Sequence, residues 1–333
     1  MTDVKQTPSL AVIIPVYNVL DYVQEAVDSI LNQSQLPAEV IIVNDGSTDG
    51  SGDLVEKLYG QHPRVKIVHT PNGGLGEARN VGTRVATADF IYYFDSDDIS
   101  VNGLIAAFNT AWQKSTDLDI YAFSADSFND PLTHKADGVQ HKLMSYRREM
   151  ETVFSSGEEA FNVFCRRGNF IPNAWLYIYR RDVQVNNQLW FLPIIHEDEE
   201  FTPRLFFAAK KVVVTNEIFF RRRVRMGSIM QSGRGEKNAI GYLRACEALE
   251  GLMVSCRKKE SLATLNNRII ENLVLIMSIR KKAAKPFTAK SDIDLDNLKK
   301  RHRSFELWLA NNTLFCWRVM NFARKQMRSR VSA

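Results

Sequence analysis

The sequence predicts an α/β fold: a doubly wound, mostly parallel central sheet with helices on both faces, followed by a helical C-terminal region. Three observations predict it. Apolar runs at 10–14, 40–43, 65–68 and 90–94 are continuous rather than alternating, which suits strands buried on both faces of a parallel sheet. Helical patterns separate these runs, giving the repeated strand–helix order of α/β domains. Polar residues stand just past the first, second and fourth runs, where such sheets bind ligands at the carboxyl ends of their strands.

The first run ends at Pro15, and Tyr22, Val23, Ala26, Val27, Ile30 and Leu31 then recur at the spacing of one helix face. The second run ends at Asn44-Asp45, and a Ser/Thr/Asp-rich start leads into a helix over 53–59. After the third run a glycine-rich loop opens a helix over 77–86, and the fourth run stops at Asp95. A helix over 103–112 and a strand over 120–123 follow. The stretch 126–148 is polar and irregular and is expected to wrap over the sheet. Beyond it come a helix over 161–166, a strand over 175–179, a helix through Phe201, Leu205 and Phe206, and short strands at 212–214 and 218–220. From 236 onward the pattern is helical without strands. The expected division is therefore a sheet domain over 1–235, binding and catalytic, and a helical region over 236–333.

An apolar fraction of 45% and a charged fraction of 24% are those of an ordinary globular protein and exclude a disordered or fibrous one. A net charge of +5 does not by itself imply a nucleic-acid partner. Cys165, Cys246, Cys256 and Cys316 form no C-x-x-C pair and read as small apolar residues in a reducing compartment. The first nine residues lack the pattern of a signal peptide, and no run of about 18 apolar residues marks a membrane span. A cytoplasmic location is expected.

Five segments carry candidate chemistry. Asp95-Ser96-Asp97-Asp98 puts three carboxylates in four residues at a strand end, where they repel unless a cation or hydrogen-bond donors compensate. Hard divalent ions bind one or two carboxylates together with substrate phosphates, so a metal fits there; an Asp-rich turn capping the next helix is the structural alternative. Val43-Asn44-Asp45-Gly46-Ser47 offers Asp45 to a base or ribose, or equally to an Asx turn. The loop Asn72-Gly73-Gly74 opens a helix suited to phosphate, and Arg79 lies in its first turns; a purely structural loop is the rival. Tyr17, after Pro15 and Val16, either stacks on a base or anchors its loop. His196-Glu197-Asp198-Glu199-Glu200 sits at a helix start, where negative charge is favoured in any case, yet a carboxylate there also suits a general base.

Taken together, and in this order, these segments resemble the inverting glycosyltransferases of family 2, which have the GT-A fold. The resemblance is strong over about residues 9–110, looser to about 228, and says little beyond. It implies a nucleotide-sugar donor, a UDP-sugar above others, with Mn²⁺ or Mg²⁺. Tyr17 would stack near the base, with Pro15 and Val16 shaping that wall, and Asp45 would bind the base. Arg79 would help hold the nucleotide, Asp95 would lie near the ribose, and Asp97 would coordinate the metal. Asp198 would be the general base, supported by Glu197. The acceptor implied is a glycan or lipid-linked hydroxyl in surface polysaccharide, capsule or lipopolysaccharide synthesis. The rival functions are a nucleotidyltransferase acting on a sugar phosphate, and a catalytically silent binding module.

The basic run Arg221-Arg222-Arg223-Val224-Arg225 resembles the basic segment that follows the late strands in related bacterial enzymes, which implies closure over the diphosphate or contact with an anionic acceptor; a solvated loop is the alternative. If it is a strand, alternate residues face opposite ways, so only part of it serves one site. Residues 299–333 hold nine Lys or Arg against one Glu, a net of +8, which leaves −3 for the rest of the chain. Aromatic and aliphatic residues interleave these charges. The segment suits an anionic membrane surface on the inner face of the cell membrane; a docked helix or a homodimer contact is the alternative, and nucleic acid is not expected.

Overall fold

Leu10–Val16 (β1) and Glu39–Asp45 (β2) are buried along their whole length, as continuous apolar runs require. They belong to a computed structural model that describes residues 7–131, 143–225 and 235–313. The chain divides into two units: one of Met1–Ser156, Asn173–Pro193 and Ala209–Ser232, the other of Gly157–Pro172, Ile194–Ala208 and Gly233–Ala333.

The first unit holds the sheet. β1 pairs in parallel with β2 on one side and with Phe90–Tyr93 (β4) on the other, and β2 pairs in parallel with Val65–Thr70 (β3). The strand order β3-β2-β1-β4 therefore reverses direction at β1, which opens a crevice at the carboxyl ends there. β3 is only half-buried and carries Lys66, as befits an edge. Helices Val23–Leu31 (α1), Ser51–Tyr59 (α2) and Leu75–Val85 (α3) make the connections, and Ile99–Ser100 (β5) and Leu104–Lys114 (α4) follow β4. α3 lies close on β1: a Cβ added at Gly82 would meet Ile13 Cγ2 at 2.3 Å.

The sheet continues through Tyr177–Arg180 (β8), antiparallel to β4 and to Leu118–Asn129 (β6). β6 runs parallel to Lys211–Val224 (β9), and β5 and Thr152–Phe154 (β7) pair antiparallel with β9. The result is a nine-stranded mixed sheet in which most paired residues lie in parallel ladders. Phe90, Tyr92, Phe94, Phe108 and Phe123 form its aromatic core, with Trp175 stacked on Phe220.

Three local expectations change. The strands expected at 212–214 and 218–220 are one strand, because Thr215-Asn216-Glu217 bulges out between Val214, opposite Ala122, and Ile218, opposite Ser124. The polar stretch from Asp126 begins as strand, since Asp126 to Asn129 pair with Arg221 to Val224, and Tyr146 bridges back to Ala125; residues 132–142 lie outside the described residues. Ala174–Leu176 is a 3-10 turn, so the strand expected from 175 starts at Tyr177.

The second unit is helical: Gly157–Arg167 (α5), Glu197–Ala208 (α7), Glu236–Ser255 (α8), Lys259–Lys282 (α9), Ala289–Arg301 (α10) and Phe305–Asn312 (α11), while Arg181–Asn186 (α6) belongs to the sheet unit. Phe161, Phe164, Phe170, Phe206 and Phe207 pack edge to face in its core. Arg268 joins Glu199 at 2.8 Å and Glu271 at 2.9 Å beneath this cluster. Cys165, Cys246 and Cys256 are free thiols, with Cys246 buried and the other two half-buried; burial pushes the Cys165 thiol up to about 12. Cys316 lies outside the described residues. No helix among the described residues is long and apolar enough to cross a membrane.

Candidate active site

The carboxyl ends of β2, β1 and β4, three neighbouring strands, present Asp45, Tyr17 and the Asp95–Asp98 tip in turn. Pro15 and Val16 are the last residues of β1 and are buried, so they form the floor below Tyr17, whose side chain is 50% exposed. Asn18 takes a positive φ of 50° and accepts the Thr48 amide at 2.8 Å, tying the loop after β1 to the loop after β2. Asp49 strengthens that tie by accepting from the Leu20 amide and the Ser51 hydroxyl and amide. Burial pushes its carboxyl up, but these bonds outweigh it and hold the group below the usual carboxylate range.

Asp45 is buried, and both its oxygens face the glycine-rich loop. Oδ1 accepts the Gly73 amide at 2.7 Å and Oδ2 the Gly74 amide at 2.9 Å. Gly46 permits this approach: it has φ +70°, and a Cβ there would lie 2.8 Å from the Asn72 nitrogen.

At the tip of β4 every aspartate has a positive or N–H partner, the compensation that three clustered carboxylates require. Arg79 is 2% exposed, lies over the Tyr93 and Phe191 rings, and donates Nη2 to Asp95 Oδ1 at 3.0 Å. Arg225 donates Nε to Asp97 Oδ2 at 2.8 Å. Asp98 is buried and accepts the Arg223 amide at 2.6 Å. Burial and the neighbouring Asp97 and Asp95 push its carboxyl well above the usual range. Tyr92, directly below, has a buried hydroxyl without a hydrogen-bond partner. Burial, Asp95 and Asp98 all raise it, so the phenol stays protonated beneath the acidic tip.

Arg223 is the residue that organises this tip. Its guanidinium reaches Asp130 at 3.0 Å, Glu25 at 2.5 Å and the Asp97 carbonyl at 2.9 Å. With Arg225 it packs on the Tyr22 ring, at 5.1 and 4.8 Å from its centroid. Sequence reasoning offered the arginine run only as an alternative, and missed Tyr22, Glu25 and Asp130. The signal was strand alternation, which sets Arg223 and Arg225 two apart in phase; for the other three no local signal exists.

Residues 11–170 match the model of Glycosyl transferase family 2. Glycosyltransferase GlyG of Streptococcus pneumoniae is 30% identical over 233 residues, 67% of this chain and 73% of GlyG. The chain belongs to glycosyl transferase family 2. Glycosyltransferase EpsJ of Bacillus subtilis is 29% identical over 67% of this chain, and the match spans 63% of its length. Among solved structures, S. aureus TarS 1-349 in complex with UDP-GlcNAc superposes with a TM-score of 0.65 at 21% identity, over 88% of this chain and 80% of that one. The likeness establishes the GT-A fold.

In this family 2 chain the acidic run at 196–200 opens α7, in the helical unit. His196 takes a positive φ of 67° and stacks on Tyr242, with ring centroids 4.3 Å apart. Asp98 and Asp45 aside, Glu200 is among the buried carboxylates: burial pushes it up, and its ion pair with Arg204 pulls the other way. Glu199 pairs with Arg268. Glu197 is buried, and Asp198 accepts the Glu199 amide at 2.9 Å.

Proposed function

We propose that the chain is an inverting transferase that moves a sugar from a nucleoside diphosphate sugar, a UDP-sugar first among them, to a hydroxyl of a glycan or lipid-linked acceptor in surface polysaccharide, capsule or lipopolysaccharide synthesis. The supporting observation is the set Tyr17, Asp45, Asp95 and Asp97 at the carboxyl ends of β1, β2 and β4, where the strand order reverses. In this reading Tyr17 stacks on the base and Asp45 uses its remaining lone pairs to bind it, while Arg79 orients Asp95 toward the ribose. TarS, with UDP-GlcNAc bound, is a precedent for the donor class on this fold.

Mn²⁺ or Mg²⁺ suits the tip. The Asp97 and Asp95 side chains keep 23% and 25% exposure, whereas Asp98 faces inward. Among the described residues no three acidic, His or Cys side chains gather into a cage, so diphosphate oxygens would complete the shell. Asp97 would hold the ion, which supplies positive charge to offset the charge growing on the leaving diphosphate. Asp198 takes the proton of the acceptor hydroxyl, whose oxygen attacks the anomeric carbon from the face opposite the nucleotide. The bond to the diphosphate breaks with its electron pair, and the configuration inverts. Glu197 supports this base or binds the acceptor.

A thermal-shift and donor-hydrolysis screen of nucleotide sugars, with and without Mn²⁺, tests the reading. A bound donor should stabilise the fold by about 2.7 kcal/mol at a hundredfold excess over its Kd. Asp97→Ala should abolish the Mn²⁺-dependent part. Absence of any shift with every nucleotide sugar would overturn it.

A further inference from the structure

Among the described residues, the last helix of the helical unit leaves large aromatic side chains exposed beside a basic turn. In α11, Leu307 points inward and is buried, whereas Phe305 and Trp308 are 67% and 59% exposed. Their rings stack on each other, with centroids 5.8 Å apart and planes at 21°. Adjacent exposed aromatics form a contiguous apolar patch, and such patches rimmed by polar residues mark interaction sites.

Cations flank the pair. Lys299, Lys300 and Arg303 line one groove of about 760 Å³ with Asp296, Phe305 and Trp308, and Lys299 pairs with Asp296 at 3.0 Å. The mount is firm: Arg301 grips Glu250 of α8 with two parallel bonds, at 2.7 and 2.9 Å. His302 is buried between Asn266 at 2.8 Å and Glu250 at 2.9 Å. The exposed aromatics thus ride on a fixed turn rather than on a loose end. Ser304 caps α11 by accepting the Leu307 amide at 3.1 Å, which starts the helix directly beyond the basic turn.

We infer that this turn and α11 form a docking surface for an anionic lipid bilayer, with Phe305 and Trp308 entering the headgroup–acyl boundary and Lys300 and Arg303 meeting lipid phosphates. Charge complementarity selects this occupant. In the sequence, residues 299–333 carry a net +8 while the rest of the chain carries −3, an asymmetry that favours an anionic partner for this segment. A soluble polyanion would satisfy the cations but leave both rings in water. The inference is independent of the proposed sugar transfer and survives its failure.

Co-sedimentation of the full chain with vesicles tests it. Binding is expected to vesicles of 70:30 phosphatidylcholine to phosphatidylglycerol, to be absent with phosphatidylcholine alone, and to weaken at 0.5 M NaCl. Lys300→Glu with Arg303→Glu should weaken partitioning by more than about tenfold, on the scale of about fivefold per basic residue near such a surface. Phe305→Ser with Trp308→Ser, both at exposed positions, should keep the wild-type melting temperature and still lose vesicle binding. Three results would overturn the inference: no binding to anionic vesicles at low salt; full binding by the aromatic double variant; or tight binding to soluble polyphosphate alone. Light scattering that shows a dimer broken by the same aromatic pair, with vesicle binding unchanged, would assign the surface to a second copy instead.

Discussion

Arg225 reaches back from the end of β9 and places its Nε 2.8 Å from Asp97 Oδ2, so the carboxylate proposed for a metal already holds a cation. Two cations compete for one carboxylate, and the side chain of Arg225 is only 14% exposed, so water screens the pair weakly. Arg225→Gln is therefore expected to bind Mn²⁺ more tightly than wild type without nucleotide, by about tenfold, or 1.4 kcal/mol. Asp97→Asn should bind it more weakly. Titration followed by Mn²⁺ electron paramagnetic resonance reads both directly, and equal affinity in Arg225→Gln and wild type would refute the competition.

Asp45 supports the glycine-rich loop with both oxygens, so its replacement acts on the loop as well as on any ligand. Asp45→Ala leaves the Gly73 and Gly74 amides without their acceptor. Hydrogen bonds to a charged group contribute about 1.5–3 kcal/mol, and a loss of that size is expected in urea unfolding. Asp45→Asn keeps one acceptor and turns an NH₂ toward the other amide, so it should fall between the two. UDP affinity by calorimetry should follow the same order; wild-type affinity in Asp45→Asn would separate the loop's order from nucleotide binding.

The parallel half of the sheet was legible because burial on both faces writes itself as a continuous apolar run, as in β1 and β2. β9 was not, since Thr215-Asn216-Glu217 interrupts the run at a bulge while the strand continues beyond it. Of the proposed site, the positions legible in the sequence are those set by strand ends: Asp45 closes β2, and Asp95 and Asp97 lie just past β4. Pairings between distant residues were not legible. Arg223 meets Glu25 across 198 residues of chain and Asp130 across 93, and neither acidic residue lies in a pattern that would announce it. The arginine run showed its charge but not its direction, which only the phase of β9 supplies.

Glu39, first residue of β2, gives the sheet unit a pH dependence. It accepts from the Thr87 and Ala88 amides at 2.6 and 2.8 Å and from Lys66 at 2.6 Å. Burial pushes its carboxyl up, but the Lys66 ammonium and the two amides outweigh it and hold the group below its ordinary value. A depressed folded-state value means stability that is fully present above the unfolded value, about 4.3, and is lost as pH falls through the folded one. Glu39→Gln should therefore cost about 1–3 kcal/mol at pH 7, and the gap from wild type should close toward pH 3. Urea melts at pH 7, 5, 4 and 3 would show it; a gap constant with pH would mean that Glu39 acts by shape alone.

Gly241 fixes the start of the acidic helix within the helical unit. A Cβ at this position of α8 would stand 1.8 Å from the Ile195 carbonyl oxygen and 3.5 Å from the His196 Cβ. Backbone cannot yield as a flexible side chain does, so Gly241→Ala must displace the 195–196 turn or α8 itself. His196, already at φ 67°, is held there by its stack on Tyr242 and by Asn238, 3.3 Å from its Nε2. Because Asn238 Oδ1 accepts the Gly235 amide at 2.9 Å, its NH₂ is the group that faces His196. Overpacking of this kind costs about 1–3 kcal/mol, and the melting temperature should fall accordingly. The displaced residues immediately precede Glu197 and Asp198, so kcat should drop by tenfold or more in Gly241→Ala. Nucleotide binding, which the proposed site places on the sheet unit, should keep its wild-type Kd. Loss of UDP affinity in step with kcat would show general unfolding rather than a misplaced base, and an unchanged kcat would remove 196–198 from the mechanism.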